Sequence, residues 1–281
     1  MLYLQSLIHI SRMFSIPTFI MKVIILCGGE GIRLKHQLSY IPKGLVHIDD
    51  KPLLWHVMKK YSLFGFNQFI LALGKNGDMI RNYFLNYNQF ENDLNFTVGK
   101  PSDIRYLNQT QEENWNITFV NTGEEARTGA RLFRCEKYID SEDFLLAYSD
   151  CLCDVDIAKL IKYHAKSKKT ATVTGVMPPF RYGEFIFKKN KVIDFNPTSK
   201  LISPLGYVNG GFAVFNRKIF KYLSSYNECV LENEVYKELV KKKEIEVFKH
   251  NGFWQGLDND RECEYLKKLC ELNQRYWLQK N

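Results

Sequence analysis

The run Lys22-Val23-Ile24-Ile25-Leu26-Cys27 breaks directly into Gly28-Gly29-Glu30-Gly31, and it restricts the possible folds more than any other feature of the chain. An apolar stretch without polar alternation has to be covered on both faces, as a strand is inside a parallel sheet flanked by helices. Glycines at the end of such a strand let the backbone approach an anion and aim its N–H groups at it. Arg33 adds a bidentate fork. Two familiar phosphate motifs do not apply. Gly29-Glu30-Gly31-Ile32-Arg33-Leu34 lacks the third glycine of a dinucleotide fingerprint, and no Gly-Lys-Ser/Thr follows as a P-loop requires. From these residues alone, the loop is either a phosphate cradle or a plain tight turn.

Downstream, strands and helices alternate. Pro52–Phe64 reads as an amphipathic helix opened by proline, Gln68–Leu73 as a strand and Gly77–Tyr87 as a helix. Residues 90–116 are polar and rich in Asn and Gln, which predicts an excursion or a small subdomain. Ile117–Val120, Phe144–Ala147 and Thr170–Val176 read as strands, with helices at Gly129–Tyr138 and Asp156–Ala165. Beyond Pro178-Pro179 come short strands at Gly183–Phe187, Val192–Phe195 and Gly211–Phe215, with a loop at Asn196–Leu205. Helices at Leu231–Lys242 and Asp260–Gln274 flank a last strand at Ile245–His250. The expected fold is α/β: a Rossmann-like, mixed, mostly parallel sheet flanked by helices, with a mixed, β-rich C-terminal half. No repeat or linker divides residues 21–281, so they read as one domain. Residues 1–20 read as an extension ahead of Met21. Their apolar content is broken by His9, Ser11, Arg12 and Pro17, and they carry no membrane-length run.

Hydrophobic residues at 45% and aromatics at 14% exclude a disordered chain. The formal charge of +8 admits an anionic partner, but the basic residues are dispersed. Lys241-Lys242-Lys243 reads as a solvated helix face, so neither nucleic acid nor a membrane is an expected partner. The seven cysteines form no disulfide framework, which points to a reducing cytoplasm. Cys151-Leu152-Cys153 is the only close pair, and no second pair completes a zinc site.

Lys22 through Leu34, Ile41-Pro42-Lys43-Gly44-Leu45-Val46 and Lys51-Pro52-Leu53-Leu54-Trp55 together resemble the nucleotide signature of the sugar-nucleotide pyrophosphorylases. Asn121 through Leu132, with Thr122-Gly123 and Thr128-Gly129-Ala130-Arg131-Leu132, is similar to a stretch of the glucose-1-phosphate cytidylyltransferases. Trp55-His56-Val57-Met58 and His250 through Gln255 are similar to the same branch. The resemblance implies a nucleotidyltransferase that takes CTP, with the nucleotide along Cys27, Gly28, Gly29 and Gly31 and beside Thr128 and Gly129. It gives Arg33 and Lys43 catalytic roles at the phosphates, and Asp150 and Asp258 the role of Mg²⁺ ligands. From their positions alone, Asp150 is equally a turn residue and Asp258 equally a helix cap. Asp154 and Asp156 read as first-turn helix residues.

The acceptor side departs from the family pattern. Phe195-Asn196-Pro197-Thr198-Ser199-Lys200 stands where sugar-specific members carry Phe-x-Glu-Lys-Pro, leaving Lys200 to supply the lysine. Glu184 replaces a small residue, while Val208-Asn209-Gly210-Gly211-Phe212 is retained, so Glu184, Lys200, Asn209 and Gly210 are the expected acceptor contacts. The expected reaction is transfer of CMP from CTP to glucose 1-phosphate, giving CDP-glucose and pyrophosphate for surface polysaccharide synthesis. Two alternatives stay open. One is another phosphorylated acceptor, whether a different sugar phosphate or an amino-acid phosphate in capsule modification; the other is a catalytically silent nucleotide-binding relative. Self-association as a homo-oligomer is a further expectation, with residues 90–116 as a contact segment.

Overall fold

The structure, a computed structural model, describes residues 21–29, 41–108, 113–177, 184–188, 191–196 and 207–280. Its centre is a seven-stranded sheet built from β1 (Val23–Cys27), β2 (Gln68–Leu73), β3 (Asn116–Asn121), β4 (Asp143–Tyr148), β5 (Ala171–Val176), β6 (Val208–Asn216) and β7 (Ile245–His250). Their order across the sheet is β7-β5-β6-β4-β1-β2-β3. All neighbouring pairs are parallel except those made by β6, which runs antiparallel to both β5 and β4.

Helices α1 (Leu53–Ser62), α2 (Gly77–Leu85), α3 (Thr128–Arg134), α4 (Ile157–Ser167), α5 (Tyr236–Lys241) and α6 (Asp260–Glu271) cover the two faces. The alternation of β1 assigns them. Val23, Ile25 and Cys27 join a core with Leu53, Val57, Ile80, Leu160 and Leu266, from α1, α2, α4 and α6. Ile24 and Leu26 join a second core with Leu132 of α3 and Leu239 of α5. Every residue of β1 is therefore buried, which is why its sequence lacks alternation.

Several expectations are refined. The helix expected over Gly77–Tyr87 stops at Leu85, and a separate short helix follows at Tyr87–Glu91. Within residues 90–116 the chain forms an antiparallel hairpin, Leu94–Thr97 with Lys100–Tyr106, turning at Gly99 in the left-handed region (φ +85°). Residues Cys151–Cys153 pair antiparallel with Trp254–Gly256, a short ribbon too brief for periodicity to announce. Asp156 caps α4 by accepting from Lys159 N (2.9 Å), in keeping with a helix-start residue. Asp154 does not fit that description. It lies ahead of the helix and accepts from, or shares a proton with, His250 Nε2 at 2.6 Å. Residues 1–20, including the expected extension, lie outside the described residues.

Candidate functional site at the carboxyl edge of the sheet

Open parallel sheets place ligands beyond the carboxyl ends of their strands, and at this edge three charged side chains converge. Lys43 opens a tight turn, Lys43–Leu45, that packs on α1; a Cβ on Gly44 would lie 3.2 Å from Leu54 Cβ. Asp150 follows β4, and Ser149 N donates to Leu26 O (3.2 Å), fastening that end to β1. Asp258 comes from the far end of the chain, brought in by the ribbon and by Leu257 N donating to Asp150 O (2.8 Å). The cap of α6 is Asn259, which accepts from Glu262 N (3.1 Å), so Asp258 is not spent on capping.

Lys43 Nζ donates to Asp258 Oδ1 (2.6 Å) and to Asp150 Oδ2 (3.3 Å). Burial works against the charged form of Lys43, but the Asp258 hydrogen bond and the Asp150 charge outweigh it, holding its pKa above the ordinary lysine value. Asp150 is shifted upward, first by desolvation and then by the like charge of Asp258, with Lys43 opposing both. Two carboxylates and one ammonium thus share a small volume, and the lysine offsets a repulsion that would otherwise separate the acids.

Arg131 of α3 lies beneath the glycine turn, a position that motif spacing does not announce. It is 3% exposed, and a Cβ on Gly28 would lie 2.0 Å from its Cζ. Gly74, just after β2, makes the same allowance: a Cβ there would lie 2.5 Å from Nη1. Arg131 Nη1 donates to Thr122 Oγ1 (2.8 Å), Gly123 O (2.7 Å) and Leu73 O (3.2 Å), and Nη2 donates to Glu124 O (2.9 Å). These partners are all neutral. The guanidinium is stretched between the ends of β1, β2 and β3, and Gly28 and Gly74 are glycines because it occupies the space a Cβ would take. The signal in the sequence is an arginine within an otherwise apolar helix turn, Gly129-Ala130-Arg131-Leu132.

Cys27 is buried at the end of β1, its thiol pushed up by burial, so it contributes backbone and not chemistry. Gly29 is exposed, and a Cβ there would meet nothing within 4 Å. Thr128 and Gly129 have other occupations. Thr128 Oγ1 donates to Glu232 Oε2 (2.6 Å) and accepts from Leu231 N (3.0 Å), while a Cβ on Gly129 would lie 2.6 Å from Cys229 Sγ. Gly210 O, on β6, accepts from Trp254 Nε1 (2.9 Å), tying the start of β6 to the ribbon, while Asn209 Oδ1 accepts from Gly211 N (3.0 Å) within the strand. Glu184 opens a strand, Glu184–Lys188, paired opposite Asn196. Gly31, Arg33 and Lys200 lie outside the described residues.

Residues 22–258 match the family model described as Nucleotidyl transferase. The chain belongs to the nucleotidyl transferase family. It is 37% identical to the probable glucose-1-phosphate cytidylyltransferase of Bacillus subtilis, over 92% of this chain and 99% of that protein. It is 36% identical to the glucose-1-phosphate cytidylyltransferase of Salmonella typhimurium, over 92% of this chain and 98% of that one. Among solved structures, HddC from Yersinia pseudotuberculosis complexed with GMP-PN shares the fold, with a TM-score of 0.62 and 21% identity. That alignment covers 88% of this chain and 98% of HddC. Among the described residues, no helix is long and apolar enough to cross a membrane.

Proposed function

We propose that this nucleotidyltransferase moves CMP from CTP to glucose 1-phosphate, releasing pyrophosphate and forming CDP-glucose. The observation that carries the reading is the Lys43 ammonium lodged between the Asp150 and Asp258 carboxylates at the carboxyl edge, next to β1, the strand that leads into Gly28. Identities of 36–37% to relatives named glucose-1-phosphate cytidylyltransferase support the choice of nucleotide and acceptor.

The donor set fits a divalent metal. Asp150 and Asp258 offer hard carboxylate oxygens around a point already occupied by a cationic group, the arrangement Mg²⁺ uses when it draws one or two carboxylates and completes its shell from phosphates and water. When bound there, Mg²⁺ supplies charge neutralisation for the phosphates that approach and leave. The chain's own groups do the remainder. Lys43 keeps its proton and, once displaced from the acids, places a fixed positive charge at the α-phosphate. Half-buried Gly28 and exposed Gly29 offer backbone for the phosphate chain, and Arg131 holds a positive potential beneath them. Arg33 and Gly31 are assigned to the same phosphates by motif. Asn209, Gly210, Glu184 and Lys200 are assigned to the acceptor by their positions in the family pattern. No side-chain nucleophile is needed, because a phosphate oxygen of the acceptor attacks directly. The setting is the cytoplasm, consistent with seven free cysteines, and the product serves surface polysaccharide synthesis.

The test is a pyrophosphate-release screen of the four nucleoside triphosphates against phosphorylated acceptors, with Mg²⁺ and with Asp150→Asn as control. Release with CTP and glucose 1-phosphate, lost by about 10²–10³-fold in the variant, is the expected result. CTP-dependent release only with another acceptor, sugar or amino-acid phosphate, would replace the acceptor. Nucleotide binding without any release would mark a catalytically silent relative.

A further inference from the structure

Outside the Lys43–Asp150–Asp258 site, three chemically different donors meet at the opposite end of the ribbon. Cys153, Asp154 and His250 each present one ligand atom, and these atoms all lie within 4.8 Å of one another. Cys153 and Asp154 are consecutive at the end of the ribbon's first strand, and His250 ends β7. The sequence lacks a second cysteine pair to complete a zinc site with Cys151-Leu152-Cys153. The fold completes the set differently, by carrying an imidazole across from a strand about a hundred residues away, with a carboxylate beside it.

We propose that Cys153 Sγ, Asp154 Oδ1 and His250 Nε2 form a binding site for a borderline divalent ion of the Zn²⁺ or Co²⁺ class, distinct from the Mg²⁺ site. The donor set selects that class. One thiolate and one imidazole disfavour Mg²⁺ and Ca²⁺, which take oxygen shells, whereas sulfur, nitrogen and one carboxylate suit four-coordinate zinc with water as the fourth ligand. Charge closes as well. A thiolate and a carboxylate neutralise the dication, a necessary match where Cys153 is 1% exposed and the other two side chains are only 14–16% exposed. One further feature bears on the bound form: Gly252 is a glycine because a Cβ would lie 2.4 Å from Asp154 Oδ1 and 2.8 Å from His250 Nε2. The chain at Gly252 therefore passes directly over the donors and closes the site on that side.

Binding is balanced as follows. The Cys153 thiol proton goes to solvent, and the imidazole proton moves from Nε2 to Nδ1 so that a bare nitrogen faces the ion. Nε2 and Oδ1 are 2.6 Å apart in the hydrogen-bonded pair. Tetrahedral ligation at about 2.0 Å requires roughly 3.3 Å between them, so the pair opens by about 0.7 Å. The consequence is mechanical. Cys153 pairs with Trp254 at this end of the ribbon and Cys151 with Gly256 at the other, where Asp150 and Asp258 emerge. An ion at the closed end clamps the ribbon that sets the spacing of the two acids.

The experiment is titration of the full-length, chelator-treated protein with Co²⁺ alone, followed by absorption. One equivalent is expected to produce a sulfur-to-cobalt charge-transfer band with tetrahedral d–d bands. Zn²⁺ should bleach the bands and raise the thermal midpoint. Cys153→Ser and His250→Gln should lose them, with circular dichroism confirming that each variant is folded, while Asp150→Asn should keep them. Absence of the charge-transfer band in the wild type, or its persistence in Cys153→Ser, overturns the proposal and leaves Asp154–His250 as a hydrogen-bonded pair only. The readout does not depend on nucleotidyl transfer, so it stands or falls separately from the proposed reaction.

Discussion

At the scale of single residues, the arrangement that most needs explaining is Arg131, a buried guanidinium whose described partners are all neutral oxygens. Burying a charge without a counter-charge is costly, and burial accordingly lowers the Arg131 pKa from its ordinary value without making the group neutral. Four hydrogen bonds to Leu73, Thr122, Gly123 and Glu124 offset part of that cost, and an anionic ligand over Gly28 would offset more. Replacing Arg131 with Met or Lys should therefore destabilise the fold by about 1–3 kcal/mol in urea unfolding, because the carbonyls it serves lose their donor. The two variants should differ in function: Lys keeps the charge but not the fork, so its KM for CTP should stay nearer the wild type than that of Met. Equal KM values for the two would show that the charge beneath the loop does not matter. Lys43, Asp150 and Asp258 were picked out by the family resemblance, since position alone left Asp150 equally a turn residue and Asp258 equally a helix cap. Arg131 was not, because its role depends on Gly28 and Gly74, which only the sheet brings beside α3. The packing of Thr128 and Gly129 was hidden for the same reason: the segment they pack on, Cys229 to Glu232, is remote in sequence.

At the scale of elements, the docking of the C-terminal segment onto α1 turns on one neutral histidine. His56, buried on α1, faces Ile48 O through Nε2 (2.9 Å) and accepts from Trp277 Nε1 through Nδ1 (3.2 Å). Accepting at Nδ1 fixes the proton on Nε2, so the ring bridges the stretch after Lys43 to the fully buried Trp277. Lys60, one turn further along α1, reinforces the contact by donating to Gln279 O (3.0 Å). Burial lowers the His56 pKa from 6.5 to about 4. The sign follows from proton counts. Above pH 6.5 the ring is neutral in both folded and unfolded chains. Between about 6.5 and 4 the unfolded chain takes up a proton that the folded one refuses, so stability falls as pH falls, by roughly 3 kcal/mol over that window from this group. Urea unfolding at pH 7 and pH 5 should show that slope in the wild type and a flatter one in His56→Gln; parallel slopes would remove His56 as its source. Of the elements involved here, α1 was readable from apolar periodicity, since it buries a continuous face, whereas the short strand at His47–Ile48 and the turn at Tyr276–Leu278 were not. Other elements escaped: the ribbon at Cys151–Cys153 is buried but too short for periodicity, and the hairpin at Leu94–Tyr106 and the break between α2 and Tyr87–Glu91 are set by tertiary pairing or by turns.

At the scale of the whole molecule, the distribution of exposed apolar side chains is uneven. Of the fifteen large hydrophobic residues that are exposed among the described residues, eight fall between Met79 and Leu107: Met79, Leu85, Phe90, Phe96, Val98, Ile104, Tyr106 and Leu107. Leu85 at 70% and Phe90 at 61% exposure are not the scattered single residues every surface tolerates. They lie on α2, the short helix after it and the hairpin, whose two strands pair only with each other and not with the central sheet. A two-stranded hairpin is marginal in water unless its apolar face is covered. The covering surface proposed is the same region of a second copy, because an isologous contact needs no separate partner and buries both hairpins at once. Light scattering of the wild type at micromolar concentration should then give a mass at least twice the 33.0 kDa of the chain. Joint replacement of Leu85 and Phe96 by lysine should lower it to one chain, since like charges placed opposite one another across a two-fold contact repel. A wild type that runs as a single chain, or a lysine variant with undiminished mass, would mean that the exposed hairpin is not where copies meet. The Lys43–Asp150–Asp258 cluster lies on other elements, so a dissociated variant that keeps pyrophosphate release would show that assembly and chemistry are separable, whereas joint loss would place a contribution from the second copy at the site.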